Sequence, residues 1–140
     1  MKSIPSCGAV VFTDEDGVRK YVIIRSKGGD YGCPKGCMEA GETEEVTALR
    51  EVREEVGVSI TLLDGFRQEE WYDLLNKPGV RKQVVYFLGK YQEQALKRQE
   101  AEISQVHLLP YEAALKKLTF GQMKEVLRKA EEYLSAGEGH

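Results

Sequence analysis

The chain has 140 residues, enough for one domain with a real core and too few for two independent ones. Its formal net charge of -3 arises from 20 basic and 23 acidic side chains interleaved along the sequence, which argues against a basic groove for polymeric nucleic acid. No apolar run approaches the roughly 20 residues needed to span a bilayer, and the first six residues lack the apolar core of a signal peptide, so no membrane partner and a cytoplasmic location are expected.

Residues 7–13 and 21–26 are β-branched apolar runs joined by the polar turn Asp14-Glu15-Asp16-Gly17, a pattern that predicts a hairpin of two buried strands. Residues 27–41 carry five glycines and Pro34 without periodicity and read as an irregular loop in which backbone can approach a ligand closely. Residues 43–56 predict a helix capped by Thr43, with Glu44 and Glu45 in its first turn and Gly57 at its end. Val46, Leu49, Val52 and Val56 recur at helical spacing and are expected to form its buried stripe. Strands are expected at 59–63, 65–72 and 83–91, with Asn76-Lys77-Pro78-Gly79 turning the chain between the last two. A short strand at 104–109 and helices at 111–118 and 121–134 complete the plan, ahead of a frayed tail at 136–140. Cys7, Cys33 and Cys37 are an odd count with no secretory context and read as free thiols. A zinc site is hard to assemble from them with only His107 and His140 available.

The helix at 43–56 carries the chemistry. Residues three and four apart share a helical face, so Glu51, Glu54 and Glu55 project from a single turn. A solvated acidic face would explain these three alone. Glu42 at the helix start, the glycine loop ahead of it, and Arg50 within reach of the cluster point instead to a site. Clustered oxygen ligands suit a hard cation such as Mg²⁺ or Mn²⁺, which neutralises their repulsion and binds phosphate oxygens.

Gly36, five residues, Glu42, seven residues, then Arg50-Glu51-Val52-Arg53-Glu54-Glu55-Val56-Gly57-Val58 fills every fixed position of the signature of the Nudix hydrolases, which the chain resembles. The resemblance implies an α/β (α+β) architecture, the Nudix fold, with a mixed β-sheet sandwiched between helices, over a single domain of residues 1–140. It implies Glu51 and Glu55 as direct ligands of Mg²⁺ or Mn²⁺, with Glu54 and the Gly36 carbonyl supporting the coordination. Arg50 would orient a glutamate, and Glu42 would stabilise the loop or reach the metal through water. The metal would activate a water for attack on phosphorus, and a carboxylate would take its proton.

Outside the signature, Pro34-Lys35-Gly36, the segment Cys7-Gly8-Ala9-Val10-Val11-Phe12, Gly65-Phe66, Asn76-Lys77-Pro78 and residues 120–127 resemble the asymmetrical diadenosine tetraphosphate hydrolases. That subfamily implies a phosphate contact from Lys35 and an adenine stacked between Tyr72 and Phe120, a contact of about 1 to 3 kcal/mol per base. Trp71 competes with Tyr72, since neighbouring strand residues face opposite ways. Glu102 aligns with a metal-assisting or general-base glutamate, with Glu100 as its rival, and Lys77, Arg81 and Lys82 could close over a polyphosphate. Two departures stand out: Tyr31-Gly32-Cys33 replaces a segment that carries tryptophan in relatives, and Cys37 replaces a histidine. The expected activity is hydrolysis of a small nucleotide substrate, diadenosine tetraphosphate to ATP and AMP, by a monomer or weak homodimer. Pyrophosphohydrolysis of ordinary or oxidised nucleoside triphosphates, cleavage of diphosphoinositol polyphosphates, and a nucleotide-sensing module without turnover are the alternatives.

Overall fold

The structure, a computed structural model, describes residues 5–74 and 76–138. In chain order it contains β1 (Ser6–Thr13), β2 (Lys20–Ser26), β3 (Tyr31–Gly32), β4 (Lys35–Cys37), α1 (Glu44–Val56), β5 (Thr61–Leu62), β6 (Gln68–Asp73), β7 (Arg81–Lys90), β8 (Ile103–Pro110), α2 (Tyr111–Lys117) and α3 (Gly121–Glu138). The strands form one mixed sheet. β1 runs parallel to β7 from Ser6↔Val84 to Phe12↔Lys90, and β7 pairs antiparallel with β5 and β6. β2 pairs antiparallel along its length with β8.

The join between β1 and β2 positions the site. These strands pair only at Phe12↔Tyr21 and Thr13↔Lys20, after which they separate. The short β4 pairs with β1 on one lip of the opening, and β3 pairs with β2 on the other. The glycine-bearing loop therefore contributes two small strands whose existence depends on distant partners, which is why local pattern shows only a loop there.

Both faces of the sheet are covered, and so every residue of β1 is buried. Val10 and Phe12 pack with Met123, Leu127 and Ala130 of α3 on one side. Ala9 and Val11 pack with Val52 and Val56 of α1 on the other. Cys7 and Cys33 are buried, Cys37 is exposed, and all three are free. Among the described residues, no helix is long and apolar enough to cross a membrane.

Several expected boundaries move. β5 covers only Thr61–Leu62, and β6 starts at Gln68 because Gly65 is in the left-handed region at φ 84°, which interrupts an extended strand. β7 begins two residues earlier than expected, and α3 continues to Glu138, so 136–138 is helical rather than frayed. Residues 139–140 of the expected tail, and Leu75 beside the 76–79 turn, lie outside the described residues.

The expected buried stripe of α1 is wrong in two of its four positions: Val46 is 48% exposed and Leu49 36%. At 3.6 residues per turn, Val46 lies about 120° around the axis from Val52. The inward face consists of Ala48, Val52 and Val56 together with Thr47, Glu51 and Glu55. Two buried carboxylates thus occupy positions that a hydrophobicity pattern assigns to solvent. Val52→Ala should cost about 2 kcal/mol or more through lost apolar contact and a residual cavity, whereas Val46→Ala should stay within about 0.5 kcal/mol of wild type. Urea unfolding of the two variants checks this face assignment, and equal costs would contradict it.

Candidate active site

The carboxylate helix is fixed at both ends by its own sequence. Thr43 is the N-cap: its Oγ1 accepts a hydrogen bond from the Val46 N–H at 3.2 Å, a cap of about 1 kcal/mol. At the other end Gly57 adopts φ 78°, and its N–H donates to the Arg53 carbonyl at 3.0 Å. A side chain there would be strained by the backbone conformation and would crowd Lys97. The position of each glutamate along α1 therefore follows from its count between these caps.

Arg50 organises the cluster. Its Nε donates to Glu42 Oε2 at 2.7 Å and its Nη2 to Glu42 Oε1 at 2.9 Å, a two-pronged pairing that matches the planar fork to the carboxylate. Nη1 donates to Glu51 Oε1 at 2.8 Å and to Glu54 Oε2 at 3.2 Å, while Nη2 also reaches the Cys37 carbonyl at 3.0 Å. One guanidinium thus ties the end of β4 to three glutamates, Glu42 in the loop that follows and Glu51 and Glu54 on α1. Glu42 also accepts from the Glu39 N–H and the Thr47 hydroxyl, each at 2.9 Å, and these donors with Arg50 hold its carboxyl down at about 2. This pairing makes Glu42 a loop anchor.

Glu51 and Glu55 are carried inward, at 9% and 4% exposure. Burial raises both carboxyls above the ordinary carboxylate range, and each is also acted on by Glu102. Glu55 is pushed up to about 8, first by burial and then by the charge of Glu51. Its Oε2 accepts a hydrogen bond from the Lys35 N–H at 3.2 Å. Gly36 abuts the Glu51 carboxylate so closely that a Cβ at this position would overlap it, which brings glycine backbone and acidic oxygens into one place. Glu54 is the outer member, half exposed, and turned to Arg50.

Among the described residues, no three His, Cys, Asp or Glu side chains are already gathered as a metal cage. Arg50 engages Glu51 and Glu54, and the Lys35 backbone N–H engages Glu55. The donor chemistry nonetheless fits a hard divalent cation. Two buried carboxylates whose proton affinity burial raises, Glu55 further through the charge of Glu51 and both through Glu102, are the oxygens that a dication would relieve.

Glu55 also lines a cavity of about 560 Å³ in the opening of the sheet. Lys35 and Glu102 share its wall with Glu55, and Tyr72 and Phe120 form another part of it. The two rings are exposed by 38% and 56%, so they are cavity residues and not core. Phe120 is placed from two sides. Its neighbour Thr119 exchanges hydrogen bonds with the backbone of Tyr31, and Gln122 Nε2 donates to the Trp71 carbonyl at 3.2 Å. Trp71 points away from the cavity, with Arg81 over its ring at 5.2 Å and its Nε1 donating to Glu69. Of the two aromatic candidates, Tyr72 faces the opening.

The remaining residues singled out from sequence are less central. Lys77 is exposed in the turn before β7 and is not part of the cavity wall, and neither are Arg81, Lys82 or Glu100. Sequence reasoning missed Glu70, which lines the cavity two residues before Tyr72. Strand alternation alone would have placed it on the face of Tyr72.

Comparison with known proteins agrees with this geometry. The NUDIX domain family matches residues 2–130. The asymmetrical bis(5'-nucleosyl)-tetraphosphatase of Mus musculus is 29% identical over 147 aligned positions, covering 94% of this chain and 96% of the mouse protein. Among solved structures, a binary complex of the C. elegans Ap4A hydrolase superposes with a TM-score of 0.85 at 22% identity, covering 96% and 99% of the two chains. The E. coli dihydroneopterin triphosphate pyrophosphohydrolase superposes with a TM-score of 0.73 at 20% identity, covering 91% and 94%. Proteins of this fold thus act on different pyrophosphate substrates, and the fold alone does not select one. The match over residues 2–130, together with the Arg50-centred glutamates on α1, makes this chain a member of the NUDIX domain family and a Nudix hydrolase.

Proposed function

We propose that the protein hydrolyses diadenosine tetraphosphate asymmetrically, releasing ATP and AMP, with Mg²⁺ or Mn²⁺ held at α1. Nudix hydrolases use divalent metal ions and act on small nucleotides. One observation carries the finer reading: a single cavity joins an aromatic pair, Tyr72 and Phe120, to the acidic wall of Glu55 and Glu102 through Lys35. That order matches a base, a polyphosphate chain and a cleavage centre. The mouse tetraphosphatase, similar over nearly its whole length, supports the same choice.

In this reading Glu51 and Glu55 would hold the cation, with Glu54 and the Gly36 carbonyl in support. The bound cation would supply charge neutralisation at the phosphoryl group and a lowered pKa for water. Tyr72 and Phe120 stack one adenine and fix where the polyphosphate begins. Lys35 draws a phosphate oxygen toward Glu55. Glu102, exposed at the cavity edge, accepts the proton of the attacking water. A P–O bond forms to that water oxygen, the bridging P–O bond breaks, and the ATP end leaves as the anion. Arg50 keeps Glu51 and Glu54 oriented.

Glu55→Gln keeps the side-chain shape and removes the charge. It should lower turnover about a hundredfold or more while the fold survives. Chromatography of the products should show ATP and AMP from the wild type; pyrophosphate with a monophosphate from a triphosphate panel would redirect the substrate assignment, and full activity in the variant would end the mechanism.

The raised Glu55 carboxyl has a consequence for stability. The folded protein holds this proton up to about 8, whereas the unfolded chain releases it near 4.5. Ionisation therefore favours the unfolded chain increasingly across that window, and the loss is complete above about 8. In chelator, the wild type should lose melting temperature relative to Glu55→Gln between pH 5 and pH 9. Added Mg²⁺ should restore it at pH 9 in the wild type alone. Parallel melting curves for both proteins across this range would show that Glu55 is not the responsible group.

A further inference from the structure

The hydrolytic chemistry leaves two acidic residues of the cavity wall, Asp30 and Glu70, without a task, and of the two it is Glu70 that carries a buried oxygen. Its Oε1 is fully buried and has no hydrogen-bond partner. Its neighbour on the opposite face of β6 is fully engaged: Glu69 accepts from Arg67, Trp71 and Gln83. A buried carboxyl oxygen without a donor costs free energy, and an unpaired acceptor at a cavity wall is complementary to a ligand that brings hydroxyl or amino donors.

Its location narrows the donor. Glu70 precedes Tyr72 by two residues on the same face of β6, roughly 7 Å along the strand. Its charge acts on the Tyr72 hydroxyl, and the strand register sets Lys35 beyond it: Glu70 lies opposite Val84, two residues along β7 from the partner of Tyr72, and two residues further on Tyr86 pairs with Gly8, which pairs with Lys35. The carboxyl therefore sits between the ring assigned to the base and the cation assigned to phosphate. It is also deeper than the rings, since Tyr72 and Phe120 are both substantially exposed. A nucleotide is built base, sugar, phosphate, so the unit that reaches this position is the sugar. The hydrogen-bond donors of a ribose are its 2'- and 3'-hydroxyls.

We propose that Glu70 is the sugar-reading residue of this site: its buried carboxyl accepts hydrogen bonds from the 2'- and 3'-hydroxyls of the ribose attached to the stacked base, so that the cavity selects ribonucleotides over 2'-deoxyribonucleotides. The inference rests on the proposed placement of a nucleotide between Tyr72 and Lys35. Its energetic basis is asymmetric. A ribose satisfies the orphaned oxygen, whereas a deoxyribose covers it and leaves it unpaired, and sites built to pair a substrate hydroxyl reject the analogue that lacks it.

The test compares ribose with 2'-deoxy and 3'-deoxy forms of both diadenosine tetraphosphate and ATP, in wild type, Glu70→Gln and Glu70→Leu. The wild type should show a KM about tenfold or more higher for the 2'-deoxy form. Glu70→Gln, which keeps an acceptor, should retain a preference for ribose, and Glu70→Leu should bring the ratio close to one. Because each ratio is taken within one protein, a general loss of stability does not move it, and Glu70→Ala serves the same comparison should leucine overfill the wall. Equal KM values in the wild type, or an unchanged ratio in Glu70→Leu, would overturn the proposal. A wild type that cleaves ATP but not the dinucleotide would refute the tetraphosphatase reading alone, and the ATP to dATP ratio would still decide the role of Glu70. Where turnover is slow, calorimetric Kd values for ATP and dATP supply the same ratio.

Discussion

Two glutamates buried on the core-facing side of α1 set the constraint from which the rest of the site follows. Glu51 and Glu55 share that side with Ala48, Val52 and Val56, so the packing that secures the helix to the sheet also drives acidic side chains out of water. Burying like charges together is unfavourable unless something compensates. Arg50 provides part of the compensation for Glu51, and the Lys35 N–H provides part for Glu55. What remains uncompensated is an affinity for positive charge, held in place by the core itself.

The sheet supplies the other half of the design. Because β1 and β2 part after two residue pairs, the helix faces an opening and not a continuous sheet, and β3 and β4 line its lips. Lys35 and Gly36 belong to β4 and meet Glu55 and Glu51 there. Phe120 enters from the start of α3, tied to β3 and β6 by Thr119 and Gln122. The acidic Glu55, the aromatic Tyr72 and Phe120 and the cationic Lys35 thus come from distant stretches of chain but converge on one cavity because one pair of strands separates.

Much of this was legible in the sequence, for identifiable reasons. The helix limits were readable because Thr43 and Gly57 act through local hydrogen bonds and local backbone conformation. The spacing from Gly36 to Val58 was readable because the site is built on one loop and one helix. The inward face was misread for Val46 and Leu49, since periodicity rules assume that apolar residues go in and carboxylates stay out, and here a pair of carboxylates takes inward positions. β3 and β4 were invisible because two or three residues become a strand only when β2 and β1 come alongside. Alternation allowed one of Trp71 and Tyr72 to face the cavity but could not choose between them. Pairing with β7, which sets Tyr72 opposite Lys82 and Glu70 opposite Val84, makes the choice.

In the proposed function the acidic turn of α1 and the aromatic pair at the cavity mouth act on the same molecule. Anomalous diffraction from crystals soaked in Mn²⁺ with a non-hydrolysable dinucleoside tetraphosphate tests it most directly. The expected result is a manganese peak bonded to Glu51 and Glu55, a phosphate oxygen on that ion, and a base between Tyr72 and Phe120. Manganese held elsewhere, or a nucleotide bound outside the cavity with its phosphates far from α1, would contradict it.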